Sequence, residues 1–259
     1  MSPARSSHLN FLGVSALLFA ASTVVTIVWC SSMSAMDGMA MPGGWNMSMA
    51  WMRMPGQTWA QAAASFLGMW LVMMAAMKLP SLVPMLQRYR EAVDARDGAR
   101  LSRLTALVAL GYFCVWALFG MAAFPLGAAL ATLEMREPAL AHAVPFAVAV
   151  VVMLAGALQF SVWKAQRLAC YRESCGCGLP ADAGSAWWYG LRLGLHCSAC
   201  CAGLMAILLV MGVMDLGAMF VVAVAITAER LAPQGQRVAR ITGAVAILAG
   251  CIMLARAIT

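Results

Sequence analysis

The chain is dominated by nearly uncharged apolar runs, each close to the length of a bilayer crossing. Residues 9–28 contain no Asp, Glu, Lys or Arg. A spanning helix needs about 20 predominantly apolar residues. Further runs cover roughly 59–79, 104–126, 144–163, 193–213, 216–228 and 238–254. Composition agrees: 63% of residues are hydrophobic and 10% charged, whereas soluble domains are about half apolar and a quarter charged. The expected fold is an all-α, polytopic transmembrane helical bundle of about seven spanning helices, one integral membrane domain over residues 1–259. Runs 193–213 and 216–228 lie so close together that they must form a tight hairpin. Arg5 precedes the first run and no small-residue cleavage site follows it, so that run reads as an anchor rather than a signal peptide.

Basic residues set the sidedness. Arg88, Arg90, Arg96, Arg100 and Arg103 separate the second and third runs. Lys164, Arg167, Arg172 and Arg192 separate the fourth and fifth, and Arg230, Arg237 and Arg240 the sixth and seventh. The alternate loops carry little: Arg53 in one, Arg136 in another. Cytoplasmic loops hold the excess of Lys and Arg. The amino terminus is therefore expected inside, with a Met-rich loop at 31–58 outside and a Cys-containing loop at 164–192 in the cytoplasm. The expected location is a bacterial inner (plasma) membrane, crossed many times, with lipid as the constant neighbour. The net charge of +7 falls on these flanks and forms no aromatic-interleaved basic patch, so no nucleic-acid partner is expected.

The outer loop holds eight methionines: Met33, Met36, Met39, Met41, Met47, Met49, Met52 and Met54. Thioether sulfur is soft and uncharged, and suits Cu(I) far better than hard divalent ions. It needs no deprotonation, so it serves where thiols would be oxidised. The competing reading is an interfacial segment resting Met, Trp45, Trp51 and Trp59 on lipid. A second cluster lies in GLHCSACCAGLM, residues 194–205. It offers His196, Cys197, Cys200 and Cys201, with Cys197 and Cys200 at chelate spacing; residues three and four apart share a helix face. Cys170, Cys175 and Cys177 lie in the loop before it. Thiolate with imidazole suits Cu(I) first and zinc second. Cysteine packing and a thiol–disulfide relay are the alternatives.

A third feature is a stripe, Met69, Met73 and Met77, spaced four apart in the second run. It reads either as packing or as stepping sites from the outer loop to the inner thiols. Lys78 reads as a snorkelling interfacial lysine, and Glu229 with Arg230 as a local salt link. Walker, HExxH and GxSxG motifs are missing from the sequence, so an enzyme is not expected.

Several stretches in order carry a family resemblance. They are WLVMMAAMKLP at 70–80, GYFCVW at 111–116, GALQFSVWK at 156–164 with Cys170 and Cys175 after it, and GLHCSACCAGLM with Ala228 and Glu229 later. This pattern resembles a bacterial family of unknown function described as predicted metal-binding integral membrane proteins, some with copper-handling names. The resemblance implies metal ligation by Cys197, Cys200 and Cys201. Where that family often shows Cys-Arg-x-Pro, this chain reads Cys175-Gly-Cys-Gly. The function expected is binding of a soft metal, Cu(I), for transport or handover to a periplasmic or cytoplasmic metallochaperone or metalloenzyme. The rivals are a membrane thiol–disulfide carrier and a non-catalytic assembly subunit.

Overall fold

The computed structural model describes residues 3–34, 39–41, 45–53, 56–93, 98–173 and 182–258. Among the described residues eight α-helices carry the fold: α1 (Pro3–Ser34), α2 (Trp59–Ala92), α3 (Gly98–Arg136), α4 (Pro138–Leu158), α5 (Val162–Glu173), α6 (Ala183–Met211), α7 (Leu216–Leu231) and α8 (Gly235–Ile258). Between α1 and α2 lies a small antiparallel hairpin, β1 (Met39–Met41) with β2 (Trp45–Met47), followed by a short 3-10 turn at Met49–Trp51. Among the described residues, six helices are long and apolar enough to cross a membrane: α1 over His8–Met33, α2, α3, α4, α6 and α8. This fits a membrane protein. The apolar windows of α1 and α8 are only 11% buried, and so much exposed hydrocarbon suits lipid rather than water.

Two sequence expectations change in detail. The run at 216–228, read as a seventh crossing, is a helix of 16 residues. At 1.5 Å per residue it spans about 24 Å, short of a hydrocarbon core of about 30 Å. The loop at 164–192 is largely helical where it is described, because α5 begins at Val162 and α6 at Ala183. The hairpin read between α6 and α7 is present. Gly212 ends α6 with φ of 121°, a conformation that side-chain-bearing residues rarely adopt. Asp215 then caps α7 by accepting from the Ala218 N–H at 2.8 Å.

Helix starts follow local chemistry. Thr58 and Gln61 form a reciprocal capping box at the head of α2, at 2.9 and 3.2 Å. Asp182 caps α6 by accepting from the Ser185 N–H at 2.9 Å. That bond holds its exposed carboxyl below the ordinary range.

The core sits between α2, α3 and α6. A Cβ at Gly111 would stand 2.6 Å from the Trp187 carbonyl oxygen, and one at Gly190 would strike the Val108 carbonyl. Glycine here lets α3 and α6 meet backbone to backbone, as small residues do in membrane helix pairs. This contact fixes the register of α6, and with it the direction of every thiol that α6 carries.

The Met-rich segment folds onto the bundle. Met39 pairs with Met47 and Met41 with Trp45 across the hairpin. Met41 and Met47 are buried against Ala131 of α3 and Ala141 of α4. Trp45 Nε1 donates to the Ala141 carbonyl at 2.9 Å, and the Trp51 ring lies 5.2 Å from that of Phe66. Part of the segment is therefore packing rather than a free loop.

Candidate metal centre

Cys197 and Cys201 sit one turn apart on α6 and both are buried. The Cys197 sulfur lies 2.7 Å from Tyr112 Oη of α3. Arg230 of α7 donates to the same sulfur at 3.0 Å, to the Cys197 carbonyl at 3.1 Å and to Ser81 Oγ at 3.2 Å. Lys78 of α2 is fully buried, at 0% exposure. Its Nζ lies 3.4 Å from Cys201 Sγ, 3.5 Å from Met205 Sδ and 4.4 Å over the Trp116 ring. Two thiols thus stand between two cations.

These contacts correct two readings of the charges. Lys78 does not snorkel, because the middle of α2 faces α3 and α6 and gives its chain no route outward. Glu229 does not pair with its neighbour Arg230. On a helix consecutive residues point apart, so Glu229 reaches Lys164 of α5 at 2.7 Å while Arg230 turns to Cys197. Gln159 Nε2 donates to Glu229 at 3.1 Å, and Lys164 also donates to the Cys200 carbonyl at 2.6 Å. The charged layer forms where α4 ends, α7 ends and α8 begins.

The remaining proposed ligands are dispersed. Cys200 is buried, but among the described residues no hydrogen bond joins its thiol to the other two. His196 faces away from the core, half-buried, with Nδ1 3.9 Å from Cys170 Sγ. Cys175 and Cys177 lie outside the described residues, as do Met36 and Met54; the Met49 side chain is likewise undescribed. Met33 and Met52 are half-buried and Met39 is exposed. Met69, Met73 and Met77 are buried with Met74 in the same core as Cys197, Cys201 and Met205. Among the described residues no three His, Cys, Asp or Glu side chains are arranged around one point.

Residues 67–253 match the PpoB2 family, described as copper chaperone. The chain belongs to that family. No curated protein and no solved structure matches it. The matched region holds the whole thiol and cation centre, and it excludes the Met-rich segment. The sequence singled out Cys197 and Cys201 but not Tyr112, and it read Lys78 and Arg230 as edge charges. Ionisable residues inside apolar helices are functional suspects by default, and burial brings Lys78 and Arg230 under that rule.

Proposed function

We propose that this protein is a membrane-embedded copper chaperone of a bacterial inner membrane. It holds Cu(I) between the Cys197 and Cys201 thiolates and passes it to a partner, either a metallochaperone or a metalloenzyme. The amino terminus lies inside, on the positive-inside argument. The observation that supports this reading is the buried thiol pair between Arg230 and Lys78. Two thiolates around one Cu(I) carry net negative charge, and the two cations offset it in a medium that screens little. Soft thiolate selects Cu(I). Structural zinc takes four ligands, and this pair offers half that number. The role is binding and handover rather than catalysis.

Titration of the purified protein with Cu(I) against a chromophoric Cu(I) chelator tests the proposal. One tight equivalent is expected at neutral pH. Thiols bind as thiolates, so protons compete and affinity falls as pH falls. Binding no tighter than that of empty detergent micelles, or an affinity that ignores pH, would remove it.

The Met-rich segment fits capture on the oxidising side. Among the described methionines of this segment, Met33 and Met39 stand outside the buried cluster of Met41 and Met47, which Met52 joins. Leucine at Met33 and Met39 keeps bulk and removes sulfur. Copper accumulation is expected to fall at low external copper and to recover when copper is abundant. A defect of equal size at every copper level would mean lost packing instead.

A further inference from the structure

Lys78 is a buried ammonium with no carboxylate beside it among the described residues; the one ion pair there joins Lys164 to Glu229. A buried charge must be compensated by partners. The three groups around Nζ are Cys201 Sγ, Met205 Sδ and the face of Trp116, at 3.4, 3.5 and 4.4 Å. An ammonium has three N–H donors, and each finds one of them. Two are sulfurs and the third is a π face, which attracts cations through its quadrupole.

Trp116 adds an independent observation. Its Nε1 is buried and has no hydrogen-bond partner, whereas Trp70 Nε1 donates to the Trp116 carbonyl at 2.8 Å. Buried donors without partners are rare and call for a reason. The Trp116 ring presents its face to the cation and leaves its own N–H unmatched.

We propose that Cys201, Met205 and Trp116 form a seat for a soft monovalent cation, which Lys78 occupies as a tethered competitor of Cu(I). The inference rests on the Cu(I) reading above and names a second half of that site. With Lys78 seated, Cu(I) meets Cys197 and Cys201 alone. With Lys78 displaced, the Met205 thioether and the Trp116 face become available. Lys78 thereby weakens binding enough to permit release, a property a chaperone requires.

Lys78→Leu tests this, because leucine is neutral and carries no sulfur that could itself ligate the metal. Cu(I) affinity would be measured by chelator competition, and the number of sulfur neighbours by X-ray absorption, on wild-type and K78L protein. K78L is expected to bind Cu(I) at least about tenfold more tightly, since the Met205 thioether and the Trp116 face join the ligand set while Arg230 still offsets the thiolate charge. Its metal should show more sulfur neighbours than wild type, and Met205→Leu in the K78L background should reverse both changes. Lys78→Gln replaces K78L if the latter does not fold. Equal affinity and equal sulfur count in wild type and variant would overturn the seat while leaving the Cys197–Cys201 reading intact. Failure of both proteins to bind Cu(I) would overturn that reading and the seat with it.

Discussion

Serine at Cys197 and Cys201 together is expected to strip the protein of its tight copper equivalent, while serine at Cys200 is expected to leave it in place. Serine offers a hard hydroxyl oxygen where a soft ion needs thiolate. Either single substitution, at Cys197 or Cys201, should remove most of the binding, because one thiolate cannot chelate. The C-x-x-C spacing points to Cys197 with Cys200, but the thiols that meet the two buried cations are Cys197 and Cys201. Metal analysis of the three single variants and the C197S/C201S double variant therefore separates the pairings. Loss at C200S as complete as at C197S would mean that the C-x-x-C pair is the ligand. Recovery of a Cys197–Cys201 disulfide from acid-quenched cells would point to a redox carrier.

The second large effect is on stability. Glu229→Ala leaves the Lys164 ammonium buried without its carboxylate, and the two side chains are only 2% and 6% exposed. Removing one partner of a buried pair costs about 3–5 kcal/mol. Thermal unfolding in detergent, followed by circular dichroism, should show the loss directly. Adding Lys164→Met should recover much of it, because the orphaned charge goes too. An E229A protein within about 1 kcal/mol of wild type, the range of an exposed pair, would mean that Lys164 finds another partner or reaches water.

Much of this architecture was legible before any coordinates. The apolar runs at 9–28, 59–79, 104–126, 193–213 and 238–254 all lie in helices able to cross a membrane. The α6–α7 hairpin was legible because only residues 214 and 215 separate two apolar runs, which leaves no other path. The run at 216–228 was short in sequence, and its helix of 16 residues is not among those long enough to cross. The thiol pair was half legible: helical spacing puts both Cys200 and Cys201 near Cys197, and only the seating of α6 on α3 chooses between them. Lys78, Arg230 and Tyr112 come from three other helices. No local period in sequence announces such a meeting, since it depends on how helices are docked rather than on how each is patterned. The same holds for the burial of Met41 and Met47 against Ala131 and Ala141.

The charged layer also bears on how the chain is made. α7 is short and ends in Glu229 and Arg230, and charged side chains within an apolar bundle are costly unless they find partners. Its companions are Ser81, Gln159, Lys164 and Cys197. Every one of them precedes α7 in the chain, so during amino-to-carboxy synthesis the acceptors for Arg230 and the donors to Glu229 are already present when α7 leaves the ribosome. α7 then need not partition into lipid alone. It can slot into a prepared polar seam, and α8 follows immediately from Gly235 to seal it against α4. The order of helices along the chain thus doubles as an assembly order, with the Cys197 and Cys201 thiols in place before the arginine that completes their surroundings.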